Sequence, residues 1–274
     1  MRVIVCAMAK NEHKYINDWV NHYLKLGFDK IYIYDNDDPS SPYIGDFIEK
    51  KHRVEIIDIR GQAKPGLQHE VYTNFYNTHE FEWCLFCDID EYLVGVNNVH
   101  LWLEQWYLRN AKQIRIKWRL FGDDNLITRD MRVPVYKAFI KEVKHSMNRD
   151  LITKGNLEKQ AKSFIRGGMK DIIIQSPHFG SIRRRDNVIP SILPSGRPTW
   201  SKVAINEDYS REFIYLNHYM TKSLSEFVDQ KLNRNDAVFN FNLKLDYYWR
   251  INEKTPQKLE WLKERGLIEW ALRY

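Results

Sequence analysis

Trp83-Cys-Leu-Phe-Cys87 runs directly into Asp88-Ile89-Asp90-Glu91-Tyr-Leu93, an apolar segment that ends in a cluster of carboxylates. The first half is short, apolar and bounded by charge, which reads as a buried strand. On extended backbone, residues two apart point to the same side, so Asp88 and Asp90 are expected to present their carboxylates together, roughly 7 Å apart. Hard oxygen ligands in that arrangement suit Mn²⁺ or Mg²⁺ held together with substrate phosphates. A bare Asp-x-Asp is a common pattern, and a solvated acidic turn would look the same. The segments around this one give it more weight.

Upstream, strand and helix patterns alternate. Val3 to Ala7 is a short β-branched run. Ile16, Trp19, Val20, Tyr23 and Leu24 then recur at helical spacing, and Gly27 supplies a helix stop. Lys30 to Tyr34 reads as a second strand, Ile44 to Lys50 as a short helix, Val54 to Ile59 as a third strand and Gln68 to Thr78 as a further helix. Strands separated by helices predict an α/β fold with a mostly parallel sheet and right-handed crossovers. Ligands of such sheets bind beyond the carboxyl ends of the strands. The loops after Ala7, Tyr34 and Cys87 are therefore expected to share one rim. That rim would bring Asn11, Asp35 to Asp38 and Asp88 to Glu91 together.

Downstream the pattern is less regular. His100 to Arg109 reads as helix and Gln113 to Phe121 as strand, residues 122–210 as loop-rich, and two helices close the chain near Leu224 to Asn233 and Pro256 to Arg265. The last carries Thr255 as N-cap and Pro256 at its first position. With no repeat or linker in view, the expected organisation is a single domain over 1–274. It comprises an alternating strand-helix half (1–95), a less regular half (96–235) and a helical C-terminal extension (236–274), the first two of which the resemblance given below implies to be a nucleotide-binding half and an acceptor half.

Composition bounds the function. The chain has 274 residues, 43% hydrophobic and 28% charged, with a net charge of +6, nine Trp, sixteen Tyr and thirteen Phe. That is a folded protein with an affinity for anions and many flat side chains for stacking. Its basic residues form no long tail or arm, which argues against a dedicated nucleic-acid binder. Three cysteines, Cys6, Cys84 and Cys87, cannot build a disulfide framework, and without a second C-x-x-C they read as core thiols. With no apolar run of membrane-spanning length and no signal-peptide pattern, the expected location is the cytoplasm. Peripheral contact at the inner membrane face through the Trp261 to Tyr274 segment is an option, set against simple packing of that segment on the domain.

Several further groups could carry chemistry. Asp35 or Asn36 could meet a base edge, or simply build an Asx turn. In Asn217-His-Tyr-Met-Thr-Lys-Ser223, His218 could complete a metal site and Lys222 could meet phosphate. Lys162 and Arg166 could bind a diphosphate or coat a helix. Asp123 and Asp124 follow the strand at Gln113 and could hold a general base near an acceptor hydroxyl, or form a charged turn.

Taken in order, Ala9-Lys-Asn-Glu12, the helix with Trp19 and Tyr23, Tyr34-Asp-Asn36, Gln68, the Asp-Ile-Asp-Glu segment, Trp118-Arg-Leu-Phe-Gly122, Lys162 to Arg166, His178-Phe179 and His218-Tyr219 with Lys222-Ser223 resemble the GT-A glycosyltransferases. Within that group they resemble the family-2-like and family-92-like branch. The resemblance spans residues 3 to about 235. It implies a GT-A, Rossmann-like fold and a nucleotide-diphosphate sugar donor, usually a UDP-sugar. It also implies Mn²⁺ or Mg²⁺ and inversion at the anomeric carbon. By position it puts Asp35 or Asn36 at the base, Asp88 by the ribose and the metal, Asp90 on the metal, and His218 as a further metal or diphosphate ligand. The Asp35 loop carries Asp37-Asp38-Pro39 where family-2 enzymes more often carry Gly-Ser. No family-2 Glu-Asp base motif stands out, so Asp123, Asp124, Glu207 and Asp208 are all base candidates.

The expected activity is transfer of a sugar to a hydroxyl of a glycan or lipid-linked acceptor. Trp118, Phe121 and Trp200 are candidates to line the acceptor groove. Two rivals share parts of the pattern. A metal-dependent nucleotidyl or phosphoryl transferase would also pair aspartates, but no G-x-x-x-x-G-K-[ST] cradle occurs. A non-catalytic carbohydrate-binding module would explain the aromatics without needing Asp88 and Asp90.

Overall fold

Val3–Ala9 (β1), Lys30–Asp35 (β2), Val54–Asp58 (β3) and Trp83–Phe86 (β4) form the parallel heart of the larger sheet. The computed structural model describes residues 1–143, 160–182, 187–199, 212–232 and 241–267. Packing divides the chain into two compact units, Met1–Trp118 with Glu158–Asn217, and Arg119–Leu157 with His218–Tyr274.

In the first unit β1 is buried along almost its whole length, as a strand covered on both faces must be. Tyr32, Tyr34, Cys6, Cys84 and Phe86 face one side, where they pack against Tyr72, Phe75 and Tyr76 of the helix Leu67–Thr78 (α2). On the other side the helix Ile16–Lys25 (α1) buries Trp19, Val20 and Tyr23, and ends at Leu26 before Gly27, whose φ of +93° suits glycine. All three cysteines are free and buried, and burial raises their thiol pKa values well above the ordinary range.

The region expected to be loop-rich contains the strands that complete the sheet. After β5 (Glu91–Val94) and β6 (Gln113–Leu120) comes β7 (Ala161–Arg166), then β8 (Ile172–Ser176), β9 (Phe179–Ile182), β10 (Asn187–Val188), β11 (Ser191–Ile192), β12 (Pro198–Thr199) and β13 (Tyr215–His218). The central order is β3-β2-β1-β4-β7-β6-β11-β12, with β10-β9-β8 as a separate small sheet. β7 lies antiparallel between β4 and β6. The fold is thus mixed α/β with a mostly parallel central sheet, in which β7 runs in reverse between β4 and β6 and the edge strand β12 runs antiparallel to β11. The expected helix over His100 to Arg109 is instead a short helix Val99–Leu103 (α3) and a separate 3-10 turn Trp106–Leu108. Asn98 caps α3 by accepting from His100 and Leu101 N–H.

The second unit is built on helices. Ser223 and Glu226 form a reciprocal capping box at the start of Leu224–Phe227, which continues as a π-helical turn, Val228–Leu232. These pack with Leu245, Tyr248 and Leu262 from the helices Phe241–Ile251 and Pro256–Glu264, the latter capped by Thr255 as its sequence suggests. Asp123 is pinned inside this unit. The Lys258 ammonium lies 2.5 Å from its Oδ2, the Tyr248 hydroxyl donates to the same atom, and its backbone N–H donates to Asn252 Oδ1 at 2.7 Å.

Removing one partner of a buried ion pair leaves the other charge desolvated. Lys258→Met is therefore expected to cost about 3–5 kcal/mol in urea unfolding. A cost under about 1 kcal/mol, the range of an exposed pair, would show that the pair does not hold the unit together.

Candidate functional site

The Asp88–Glu91 segment is a turn and not extended backbone. Glu91 N–H donates to the Asp88 carbonyl at 3.2 Å, and Glu91 Oε2 accepts the Asp88 N–H at 3.0 Å. Helix α1 fixes the turn from outside. Trp19 Nε1 donates to the carbonyls of Asp88 (3.2 Å) and Glu91 (3.0 Å), and the Tyr23 hydroxyl donates to the latter at 3.0 Å. The expected same-side pair of carboxylates does not form in that way, because the reversal ends the two-residue periodicity. Asp88 keeps a side chain 36% exposed, whereas Asp90 is buried at 5%.

Lys162, from the reversed strand β7, reaches Asp88. The register pairs Phe86 with Ser163, so Lys162 sits at the level where β4 gives way to the turn. Its Nζ lies 2.5 Å from Asp88 Oδ2 and 3.5 Å from Glu91 Oε1, and 5.5 Å from the centre of the Trp118 ring. The ammonium is 1% exposed. Burial alone would lower its pKa, but the Asp88 and Glu91 carboxylates outweigh burial and hold it above the usual lysine value. Burial pushes the Glu91 carboxyl well up, against the pull of Lys162. The other oxygen, Asp88 Oδ1, accepts from Gln68 Nε2 at 3.3 Å, and Gln68 belongs to the first turn of α2. His178, which no role was assigned from sequence, is held beside this cluster by its Nδ1 contact with the Ala161 carbonyl at 2.8 Å and an edge contact with Trp118.

Asp35 and Asp37 of the neighbouring rim loop are held by backbone N–H groups of that loop and of the loop at Asn11. Asp35 is fully buried and accepts from Asp37 N–H (3.2 Å) and Ile44 N–H (3.3 Å). Asp37 Oδ1 accepts the Asn11 N–H at 2.6 Å, and His13 Nε2 lies 3.3 Å from Asp37 Oδ2. Asn11 adopts φ of +59° at this contact. Asn36 is half-buried, with its N–H on the Ala9 carbonyl at 2.9 Å. Asn11, Asp35, Asn36 and Asp37 thus do come together at the rim, with Asp35 as the residue that shapes the loop.

Other candidates sit elsewhere. Arg166 pairs with Trp83, at the opposite end of β4 from Asp88. Its guanidinium donates to the Arg109 (2.6 Å) and Ala111 (3.3 Å) carbonyls, so it is a strand-end anchor and lies away from this cluster. Lys162 coats no helix, since it is a buried strand residue. Asp123 is occupied as described above, and Asp124, at φ of +51°, accepts the N–H groups of Ile140 and Lys141 at 3.1 Å each, so neither stands ready as a base. His218 and Lys222 belong to the second unit. His218 is buried, with its carbonyl accepting from Phe121 N–H, and Lys222 is buried with Nζ 3.4 Å from Gln230 Oε1. Glu207, Asp208, Trp200 and residues 268–274 of the C-terminal segment lie outside the described residues.

Mn²⁺ or Mg²⁺ would need carboxylate oxygens open to it. Both Asp88 oxygens are engaged, one by an ammonium. Among the described residues no three His, Cys, Asp or Glu side chains gather as a metal cage. As arranged, these residues do not fit a cation held by Asp88 and Asp90.

Neither a protein-family model nor a curated protein matches the chain. Among solved structures, S. aureus TarS residues 1–349 align at TM-score 0.38 and 11% identity, over 100% of this chain and 81% of that one. The same fragment with UDP gives 0.39 and 12% over 100% and 81%, and with UDP-GlcNAc 0.39 and 12% over 99% and 73%. At that level of similarity the site is read from its own geometry.

Two half-buried histidines set an acid limit on stability. Burial lowers His178 to about 4, helped by the Lys162 charge and opposed by the Ala161 carbonyl. Burial likewise lowers His22 to about 4, opposed by its contact with the Leu93 carbonyl. The unfolded chain takes up these protons near pH 6.5 and the folded chain only near pH 4, so stability falls as pH drops through that window. Each histidine is expected to contribute a slope of up to about 1.4 kcal/mol per pH unit there. Urea titrations between pH 7 and pH 4 should show His22→Gln removing about one proton's worth of slope. An unchanged slope would mean the ring is already protonated in the fold.

Proposed function

We propose that the chain is a GT-A-type glycosyltransferase that takes a nucleoside-diphosphate sugar, with a UDP-sugar as the first donor to test. It would pass the sugar, with inversion, to a hydroxyl of a glycan or lipid-linked acceptor. One observation carries the reading: Asp88 is a half-exposed carboxylate held in a fixed pose beyond the carboxyl end of a parallel strand. Turn, helix and strand converge to hold it, which is the place and preorganisation an α/β sheet uses for a ligand.

The proposed division of labour follows from the contacts. Asp88 accepts hydroxyl hydrogens of the donor ribose, with Gln68 and Lys162 setting the direction of its oxygens. Asn36, at the rim where Asp35 shapes the loop, meets the base edge. The first turn of α2, which carries Gln68 to this rim, turns its positive end toward the diphosphate. The acceptor proton must go to a carboxylate. With Asp123 and Asp124 engaged in structural contacts, Glu207 and Asp208 are the proposed candidates for that role. The net charge of +6 suits an anionic or lipid-diphosphate-linked acceptor and peripheral contact with an acidic membrane surface. Among the described residues no helix is long and apolar enough to cross a membrane.

A ligand that binds only the folded state raises the melting temperature, by about 2.7 kcal/mol of stability at a hundred times its Kd. UDP is expected to raise the melting temperature by several degrees, and UDP-sugars to be hydrolysed slowly in the absence of acceptor. Asp88→Asn should abolish hydrolysis while melting cooperatively, and Asp124→Asn should retain it. Failure of UDP, ADP, GDP, CDP and TDP alike to shift the melting temperature would end the donor reading.

A further inference from the structure

We propose that the Lys162 ammonium takes the place of a divalent cation on Asp88, holding that carboxylate in its binding pose, so that a nucleoside diphosphate binds here without a metal. The inference rests on the donor reading above. It goes beyond that reading by assigning the cation's place to a side chain, against what the sequence resemblance implies.

Three features support it. Lys162 cannot be an opportunistic surface arm: its Cα is fixed by two ladders, to β4 and to β6, and its ammonium is 1% exposed. It takes the position a cation would need, 2.5 Å from one Asp88 oxygen and 3.5 Å from Glu91 Oε1, while Gln68 takes the other Asp88 oxygen. A divalent ion on Asp88 would have to share that oxygen with an ammonium a few ångströms away, and like charges at that range repel. The Trp118 ring lies 5.5 Å from the ammonium and adds a further favourable contact for its charge. A metal ion would arrive with the donor and leave with the product, whereas this charge is part of the sheet and present before the donor binds.

The test is a calorimetric titration of UDP into metal-depleted full-length protein, once in EDTA and once in excess Mn²⁺. The expected result is a Kd that agrees within twofold between the two buffers. A companion measurement is the electron paramagnetic resonance signal of Mn²⁺ with nucleotide-free protein, expected to remain that of the free ion. Lys162→Met should weaken UDP binding tenfold or more in EDTA, with Mn²⁺ restoring part of the loss through the vacated carboxylates. If that variant does not fold, the wild-type comparison decides by itself. A Kd at least tenfold weaker in EDTA than in Mn²⁺, or a bound-Mn²⁺ signal in the nucleotide-free protein, overturns the proposal and leaves the donor reading standing. Binding of no nucleoside diphosphate in either buffer removes the donor reading and this inference with it.

Discussion

A buried ammonium between two carboxylates is the constraint around which the first unit is organised. Taking Lys162 and Glu91 out of water is costly, and the attraction of the ammonium to Glu91 and to the half-exposed Asp88 offsets the cost only if the geometry is held closely. The structure supplies that geometry from four directions. β7 fixes the lysine, the turn closed by Glu91 N–H fixes Asp88, Trp19 and Tyr23 of α1 hold the turn's carbonyls, and Gln68 of α2 takes the remaining Asp88 oxygen. The two helices come from opposite faces of the sheet. The charged cluster therefore reports on the whole βαβ arrangement, and a shift in any one element would leave a charge desolvated.

The parts of this arrangement that were legible in the sequence are those written in local periodicity. β1, β2 and β4 can be read because parallel strands buried on both faces are apolar runs, the edge strand β3 from its β-branched Val54, Ile56 and Ile57, and α1 and α2 from their amphipathic spacing. β7 cannot be read in that way. Ala161-Lys-Ser-Phe-Ile-Arg166 carries a lysine and a serine at buried positions, and both are tolerated only because of distant partners: Asp88 for Lys162, and the His178 carbonyl for Ser163. Sequence pattern prices a buried lysine as exposed, and so the strand vanishes into an apparent loop.

The same limit governs the acids. Asp123-Asp124 looks like a pair of catalytic carboxylates after a strand, and nothing nearby contradicts that. What decides otherwise is Tyr248 and Lys258, more than a hundred residues downstream. Asp124 is instead captured locally, by two backbone N–H groups in a left-handed turn. Carboxylates are good acceptors for both jobs, and their chemistry alone does not separate a base from a brace.

Exposure does separate them along the rim. Asp35 and Asp88 both lie at the carboxyl end of a parallel strand, both are fixed by more than one donor, and both would be drawn as ligands from sequence. Asp35 is fully buried, with its oxygens on backbone N–H groups of its own loop, so a ligand could reach it only by unmaking the loop. Asp88 is held as firmly yet keeps a side chain 36% exposed. A group that is rigid and also reachable is what a binding site needs, because the ordering has been done before the ligand arrives. That rigidity is supplied by the fold: Lys162 and Gln68 each hold one oxygen of Asp88, and Glu91 and Trp19 hold its backbone.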